Sequence, residues 1–361
     1  MLNTIASIND SVNAFIWGVP SMICIMGVGI WLTCRSGFLQ FRKFGYTLKH
    51  TFGAMFNKKE AGDGALTSFQ SVCTALAGTV GTGNIAGVAG AIALGGPGAV
   101  FWMWISALLG MCTKFAEVTL AVHFRERNDH GDWVGGPMYY IKNGLGKRWG
   151  WLAALYSIFG ILTVFGTGNA TQVNTITTAI DSALVSTGAV SEKVPGGVNL
   201  FIGILITIMV LSILIGGIKR IGSVTEKLVP FMAIAYAWGC IMIIGMNWDF
   251  VWPAIKLIFT AALDPRSAFG GLLGSGVMAA IQFGCARGLF SNESGLGSAP
   301  IVASAASTRN PARQALVSMT GTFWDTVVIC ALTGIVLVST MLAHSEVVDQ
   351  IASGSITAGA Q

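Results

Sequence analysis

Long apolar runs alternate with short polar loops along this chain, a pattern that predicts membrane-spanning helices. A helix needs about 20 predominantly apolar residues to cross the roughly 30 Å hydrocarbon core of a bilayer. We therefore expect an all-α polytopic membrane protein in which residues 1–361 form one transmembrane domain. The predicted spans are 14–33, 67–94, 99–121, 151–178, 198–217, 228–246, 270–290 and 316–339.

A further apolar stretch at 250–263 is too short for a span of this kind. It contains Lys256 and is bounded by Trp248, Asp249 and Asp264. Apolar segments of this length more often lie in the membrane interface than cross the bilayer. We predict an interfacial helix here.

Basic residues gather on one side of the predicted membrane. With the N-terminus outside, sixteen Lys and Arg residues lie in cytoplasmic loops and only three (Lys193, Lys256 and Arg266) in the opposite loops. Cytoplasmic loops of membrane proteins are enriched in Lys and Arg, so this orientation is favoured. If 250–263 were a span, Arg309 and Arg313 would lie on the side opposite to the other basic loops. The sixteen are Arg35, Arg42, Lys43, Lys49, Lys58, Lys59, Arg125, Arg127, Lys142, Lys147, Arg148, Lys219, Arg220, Lys227, Arg309 and Arg313.

Composition supports the same class of protein. Hydrophobic residues make up 53% of the chain and charged residues 10%. The 1–13 segment contains no Lys or Arg, so 14–33 is predicted to be a retained span rather than a signal peptide. The seven cysteines are odd in number and have no CxxC spacing, and the four histidines form no HExxH, so neither a disulfide framework nor a zinc site is predicted.

The stretch ALAGTVGTGNIAGVAGAIALGG at 75–96 is unusual for a membrane helix, because Thr79, Thr82 and Asn84 lie among many glycines. GTGNIA matches a dinucleotide-binding fingerprint, but that motif needs a strand before it in a soluble βαβ unit. Small residues at four-residue spacing, such as Gly83 and Gly87, would also allow close helix packing. Neither interpretation explains why polar side chains cluster at membrane depth.

A helix that unwinds near residues 79–84 explains this cluster better. Glycine costs about 1 kcal/mol relative to alanine inside a helix, so unwinding is cheap here. Backbone groups freed in hydrocarbon must meet a ligand or line a cavity. Freed carbonyls suit Na⁺, and the N–H groups that start the second half-helix, near Thr82 and Gly83, suit a carboxylate. An amino acid together with sodium fits this pair of sites.

Four longer motifs give the chain a specific resemblance. It is similar to the alanine or glycine:cation symporter family, which implies sodium-coupled symport of alanine or glycine across a bacterial or archaeal inner membrane, with no cofactor. Nothing in the chain indicates a nucleic-acid partner, and a monomer is plausible. The motifs are AGTVGTGNIAGVAGAIALGGPGAVFWMW (77–104), KFAEVTLAVHFR (114–125), DWVGGPMYYI (132–141) and GLFSNESGLGSAP (288–300).

The resemblance also implies the leucine-transporter fold, in which five spans are repeated upside down and the first of each repeat is broken. The run at 14–33 would be an extra N-terminal span, and 67–94 and 270–290 the two broken helices. Seven spans follow the first one, where the fold has ten. This expectation leaves two possibilities, a fragment of a longer transporter or a truncated copy that does not transport.

Residue roles are carried over from the resemblance, motif by motif. The Thr79 carbonyl and the Asn84 side chain would bind one cation, and the Ala77 and Val80 carbonyls a second cation position. One sodium per substrate is the expected number. The remaining carry-over concerns substrate contacts, at Gly81, Thr82, Gly83 and Gln172. Phe283 and Gly284 are added as substrate contacts because they lie at the depth of the predicted second break.

Two of these assignments keep alternatives. Gln172 lies in a polar cluster of the fourth span, where it would contact substrate or form an interhelical hydrogen bond. The second break is predicted by depth, since a span entering near Gly270 reaches the midplane after about ten residues at 1.5 Å each. That places the break between Ala280 and Gly284, with 274–276 as the alternative.

Five charged residues at or near membrane depth need partners, because charge there is costly. Lys114 and Glu117 are three residues apart on one helix face and are predicted to pair near the cytoplasmic end, with a gating role as the alternative. Asp325 is a gating or coupling candidate, or a hydrogen-bond acceptor for another span or for backbone. Arg287 and Glu293 form a hypothetical salt bridge at the inner gate. A channel would need rings of repeated ligands and an intramembrane enzyme a nucleophile or metal motif, so both classes are disfavoured.

Overall fold

The computed structural model describes residues 15–56, 65–188, 196–263 and 277–344, with single positions at 4, 7, 9, 11, 12, 190 and 194. This part of the chain is almost entirely helical. Its α-helices are, in chain order, α1 (Val19–Arg35), α2 (Leu39–Arg42), α3 (Phe44–Phe56), α4 (Ser68–Thr79), α5 (Val88–Gly95), α6 (Gly98–His123), α7 (Pro137–Gly144), α8 (Gly150–Thr163), α9 (Thr171–Ser186), α10 (Gly196–Leu214), α11 (Gly217–Met246), α12 (Trp248–Leu263), α13 (Val277–Asn292), α14 (Ser298–Ser304), α15 (Pro311–Thr322) and α16 (Ala331–Ala343).

Three π-helical segments continue α-helices and widen one or two turns of each. They are π1 (Gly83–Gly87), π2 (Val164–Ala170) and π3 (Phe323–Cys330). A two-stranded antiparallel ribbon follows α6, in which β1 (Glu126–Arg127) pairs with β2 (Trp133–Val134). π-helical turns occur often at functional sites, so their positions are informative.

The described part of the chain is mostly helical and contains several long apolar helices, as expected for an all-α polytopic membrane protein. In the described parts of the chain, five helical stretches are long and apolar enough to cross a bilayer, and a sixth is the bent pair on 68–95. The spans predicted at 151–178 and 316–339 are longer than expected, at Lys147–Ser186 and Pro311–Ala343. α1 is shorter, with 17 residues. The protein is therefore a multi-pass membrane protein.

The predicted interfacial segment forms α12, a helix of 16 residues. Ala254, Ile258 and Ala262 are buried at four-residue spacing, whereas Trp252 and Leu263 are exposed. One face thus packs against α6 and α16, and the other is open. The helix has the length and one-sided burial expected for the interface, and its position in the membrane stays a prediction.

The interruption predicted in the first broken helix is present. α4 ends at Thr79, helical structure resumes at Gly83, and the two halves are bent by 56°. A capping box between Thr67 and Gln70 starts α4, with each side chain bonded to the other residue's backbone. The sequence therefore placed this break correctly.

The break predicted between Ala280 and Gly284 is wrong. α13 runs without interruption from Val277 to Asn292, and the chain leaves helical geometry only at 293–297. The alternative break at 274–276 lies outside the described residues. Glu293, Gly295 and Gly297 have φ angles of 54°, 91° and 87°, which end the helix.

Gly284 and Gly288 explain why α13 stays helical. A Cβ at Gly284 would lie 2.4 Å from the Ala99 carbonyl oxygen, and one at Gly288 would lie 3.3 Å from the Met103 Cα. These glycines therefore let α13 and α6 pack side by side, and their contacts run in the same order along both helices. Small residues four apart serve this purpose in membrane helix pairs.

Candidate functional site

The break in the first bent helix exposes backbone groups, and Asn84 binds one of them. Val80 adopts an extended conformation with ψ of 106° after the end of α4. The Gly81 N–H, which no longer points along a helix, donates a 2.8 Å hydrogen bond to Asn84 Oδ1. Asn84 is buried in π1. Its carbonyl oxygen thus caps the start of the second half-helix from within.

Gln172 reaches the same break from α9, directly after π2. Its Oε1 accepts hydrogen bonds from the Thr82 hydroxyl and, at 3.4 Å, from the Thr82 N–H. The same oxygen would lie 3.2 Å from a Cβ at Gly81. The structure therefore brings together three residues that the sequence singled out separately. The Gln172 oxygen therefore accepts from the Thr82 donors at the start of the second half-helix.

The amide nitrogen of Asn84 faces the opposite way, toward π3. It donates to Asp325 Oδ1 at 2.9 Å, to the Asp325 carbonyl at 3.0 Å and to Cys330 Sγ at 3.3 Å. One amide side chain therefore links the break to a carboxylate on the last described span. Asp325 forms the interhelical hydrogen bond that was one of its two predicted roles.

Asp325 is fully buried and accepts from three side chains. Besides Asn84, the Ser291 hydroxyl donates to Oδ2 at 2.8 Å and the Thr326 hydroxyl donates to the same oxygen at 2.7 Å. Lys114 also interacts electrostatically with the carboxylate. A buried carboxylate is costly unless it accepts hydrogen bonds and interacts with a cation, and the Asp325 carboxylate does both.

Gly83 brings the break against α13. A Cβ at Gly83 would lie 2.9 Å from the Ser291 Cα, a contact that real Cβ atoms do not make. The small-residue interpretation of this stretch is therefore also correct for Gly83. Close packing and unwinding occur at adjacent residues, and Ser291 is the neighbour that the break faces.

Phe283 and Gly284 lie elsewhere. A Cβ added at Gly95 would lie 3.2 Å from the Phe283 Cβ, so Phe283 faces Gly95. Gly284 packs on the Ala99 carbonyl. Gly95 follows Gly83 by twelve residues, roughly 18 Å along a helix. The structure does not bring these two predicted substrate residues to the break.

The predicted cation positions lie at the end of α4. Val80 N–H donates to the Leu76 carbonyl at 2.7 Å, and the Thr79 hydroxyl donates to the same oxygen at 3.4 Å. Thr79 is buried. The carbonyls of Ala77 and Thr79 therefore belong to the last turn of the first half-helix, and that of Val80 follows directly, where the helix dipole is negative.

Lys114 and Glu117 hold the 293–297 loop rather than each other. Lys114 Nζ donates to the Glu293 carbonyl at 3.1 Å, and Glu117 Oε2 accepts from the Gly295 N–H at 3.1 Å. No ion pair within 4.0 Å joins Lys114 and Glu117 in the described chain, although their charges interact. The predicted pair is wrong as a direct contact, because the loop backbone lies within reach of both.

The hypothetical gate between Arg287 and Glu293 is also absent among the ion pairs of the described residues. The Glu293 carboxylate instead accepts from the Ser298 hydroxyl, at the start of α14. The Tyr156 hydroxyl donates to the Leu296 carbonyl at 3.0 Å. The loop is thus held by α6, α8 and its own following helix.

We expect Lys114→Met to destabilise the protein by about 3–5 kcal/mol, because Glu117 and Asp325 would lose a nearby buried cation. The measurement is thermal unfolding of the purified chain in detergent. Lys142→Met is the matched control, since Lys142 is an exposed partner of Glu126 at 3.6 Å and such pairs contribute about 0–1 kcal/mol. Equal effects of the two changes would contradict the role of Lys114.

Sequence reasoning missed Ser291 and the three π-helical segments. Ser291 lies inside the GLFSNESGLGSAP motif, in which only the charged residue, Glu293, was assigned a role. One available signal was the tetrapeptide GTGN, which occurs at 81–84 and again at 166–169. Both copies overlap π-helical segments, π1 and π2, next to the residues that meet at the break.

Comparison with known proteins shows the family of this chain. A model of the sodium:alanine symporter family matches residues 2–360. The chain belongs to the sodium:alanine symporter family. Its relatives in that family are named as symporters, carriers or transporters, which supports cation-coupled amino-acid transport as the general activity.

Three relatives show the range of the family. An uncharacterized transporter of Haemophilus influenzae is 51% identical over 93% of this chain and 70% of its own length. The sodium/alanine symporter AgcS of Methanococcus maripaludis is 43% identical over 98% of this chain and 74% of its own length. A probable sodium/glutamine symporter of Bacillus subtilis, GlnT, is 35% identical over 94% of this chain and 67% of its own length. Relatives therefore differ in the amino acid for which they are named.

Proposed function

We propose that this protein carries a small amino acid, alanine or glycine, across the bacterial or archaeal inner membrane together with Na⁺. The observation that carries the proposal is the pair of half-helices meeting at Thr82, with acceptor oxygens from Gln172 and Asn84 on the freed N–H groups. Groups that bind an amide oxygen also bind a carboxylate oxygen, with greater strength because the acceptor is charged.

The substrate carboxylate would take its place at the start of the second half-helix. The donors there are the Thr82 N–H and hydroxyl, with the backbone of Gly81 and Gly83 beside them. Gln172 would then release Thr82 and contact the substrate with its amide group. Glycine at position 81, next to the Gln172 amide, leaves room for backbone contact, which favours a substrate with a small side chain.

Sodium would bind at the end of the first half-helix. The carbonyls of Ala77, Thr79 and Val80 supply uncharged oxygen ligands, and the negative end of α4 adds to the attraction. Asp325 contributes a formal negative charge through its contact with Asn84. We expect one sodium per substrate, with no further cofactor.

Transport would follow alternating access, with the N-terminus outside and a leucine-transporter-like arrangement of the helices. Supporting features are the bend of 56° at 79–83 and the second interruption at 293–297, which the structure places in neighbouring elements. Binding of sodium and substrate would stabilise the broken backbone, and rocking of the surrounding helices would open the site inward.

The test is counterflow in proteoliposomes with labelled alanine, glycine, serine and glutamine, each with and without sodium. Exchange of alanine or glycine that saturates and requires sodium supports the proposal. Exchange of glutamine alone would reassign the substrate, and flux without saturation would indicate a channel. Sodium-dependent alanine binding without exchange would support a copy that binds but does not transport.

We expect Gln172→Ala to weaken alanine binding at least tenfold, because the bound substrate would lose its hydrogen bond with the Gln172 amide group. Sodium affinity should change much less, since the cation ligands lie on α4. The measurement is equilibrium binding of labelled alanine at several sodium concentrations. Thr175→Ala, one turn further along α9, is the control and should leave binding unchanged, because the half-buried Thr175 hydroxyl donates to the Thr171 carbonyl of its own helix. A loss of folded protein equal to the loss of binding would instead indicate a packing role.

A further inference from the structure

Buried polar side chains form a line along one face of α15 and π3. They lie three or four residues apart, so they share a helix face. The line starts in the first turn of α15, on the side that carries the basic loops, and ends next to the break. Each member is at most 8% exposed. We call this line the polar seam, and its members are Gln314, Ser318, Thr322 and Asp325.

Helix α4 packs against the polar seam. The Gln314 Nε2 donates to the Ser71 hydroxyl of α4 at 3.3 Å. Further along the same two helices, a Cβ added at Gly321 would lie 3.7 Å from the Leu76 Cδ2. These two contacts follow the same order along both helices. The polar seam therefore leads along α4 to its end, where the proposed sodium ligands lie.

Gln314 carries a polar atom that is left without a partner in the described part of the chain. Its side-chain nitrogen donates to the hydroxyls of Ser71 and, at 3.2 Å, Ser318, but its Oε1 is buried and accepts no hydrogen bond among the described residues. The whole residue is buried. Buried polar atoms are nearly always paired, and an unpaired one costs about 1–3 kcal/mol. An amide oxygen left open near two hydroxyls indicates a position for a cation or a hydrogen-bond donor.

Close packing of the helices does not by itself explain the polar seam. Apolar side chains would join α4 and α15 without the cost of burying hydroxyl and amide groups. The opposite face of α15 provides a contrast, because the buried Thr320 hydroxyl donates to the Val317 carbonyl of its own helix at 2.6 Å. Polar groups inside membrane spans that face other helices often mark the pathway of an ion.

We propose that Na⁺ leaves the break toward the cytoplasm along the polar seam, and that Gln314 Oε1 is a ligand on this route. The inference rests on the proposed sodium-coupled function. Oxygen atoms of amides and hydroxyls suit Na⁺, and the seam presents them in sequence between the break and the cytoplasmic end. The positive ends of α4 and α15 lie at that end, so an ion binds weakly at Gln314 and moves on. Opening the seam requires α4 to move away from α15.

Thiol labelling tests whether the polar seam opens to water. Ser318→Cys is compared with Thr320→Cys in inside-out membrane vesicles, using a small cationic methanethiosulfonate reagent that does not cross membranes. Both side chains are buried, and they lie on opposite faces of α15. The unchanged chain, with its seven cysteines, gives the background rate. We expect Ser318→Cys to react about tenfold faster than Thr320→Cys, because only the seam face meets water in the open state.

Gln314→Leu tests the ligand itself. Leucine keeps most of the side-chain volume and removes the unpaired oxygen. We expect sodium release, measured as efflux of radioactive sodium from proteoliposomes during alanine counterflow, to slow about tenfold because one ligand oxygen is lost. Equilibrium binding of sodium and alanine should be unchanged, since the break is intact. Thr320→Val, on the opposite face of α15, is the matched control and should change neither quantity.

The outcomes separate this inference from the proposed function. Equal labelling of the two cysteine variants would overturn the route, and so would normal sodium release by Gln314→Leu. A loss of equilibrium binding as large as the loss of release would instead assign Gln314 to packing. Slower release of alanine with normal release of sodium would give the seam to the amino acid and contradict the sodium route. If the unchanged chain shows no sodium-dependent exchange, the proposed function fails, and the sodium route fails with it whatever the labelling shows.

Discussion

Replacing Asp325 with alanine is expected to destabilise the protein by about 3–5 kcal/mol and to abolish sodium-dependent alanine binding. The carboxylate accepts from Asn84, Ser291 and Thr326, and all four residues are buried. Removing it would leave these three donors without their acceptor and would take away one of the three negative charges, with Glu117 and Glu293, that interact with Lys114. Unsatisfied buried donors cost about 1–3 kcal/mol each, and a buried cation costs more. Thermal unfolding in detergent measures the first effect.

Asp325→Asn separates the charge from the hydrogen bonds. An asparagine oxygen still accepts from Asn84, and its amide can donate to the hydroxyls of Ser291 or Thr326. We therefore expect Asp325→Asn to retain most of the stability. The sodium concentration for half-maximal alanine binding should rise about tenfold, because one negative charge near the proposed cation position is lost. Unchanged sodium dependence in this variant would limit Asp325 to a role in the fold.

Gly83→Ala is expected to destabilise the protein by about 1–3 kcal/mol and to weaken alanine binding. The new methyl group would lie 2.9 Å from the Ser291 Cα, and backbone of α13 cannot yield as a flexible side chain does. Separating the two elements would also stretch the hydrogen bond between Ser291 and Asp325. The measurements are thermal unfolding and equilibrium alanine binding on the same preparation.

Gly90→Ala is the matched control for this change. Gly90 lies on the same half-helix, in α5, and a Cβ there would meet nothing within 4 Å. Alanine is the better helix former by about 1 kcal/mol, so stability should be equal or slightly higher. If both substitutions had the same effect, glycine content in general, and not the contact at Gly83, would determine stability.

The first break could be predicted because its signals are local. Glycines at 78, 81, 83 and 87 make an apolar helix easy to interrupt, and Thr82 and Asn84 mark where polar contact is needed. No distant residue enters this argument. The same reasoning predicted Gln172 as a polar group at depth, but its contact with Thr82 spans 90 positions of chain and became visible only in the structure.

The second break was misplaced because glycine has two uses in membrane helices. Gly284 lies at the expected depth, yet it serves close packing on Ala99, and the helix continues through it. The helix ends more than two turns later, where Glu293, Gly295 and Gly297 have positive φ angles. A glycine's neighbours decide between these uses, and the sequence does not show the neighbours.

The sequence by itself determined the membrane class, the number and order of most spans, the first break and the family. These properties depend on hydrophobicity summed over about 20 residues and on short motifs, which are readable in order along the chain. Only the tertiary structure decided which residues surround that break. Asn84 and Asp325 are 241 positions apart and meet because π1, α13 and π3 pack together. Buried polar groups need partners, and the packing of distant helices selects which partners they receive.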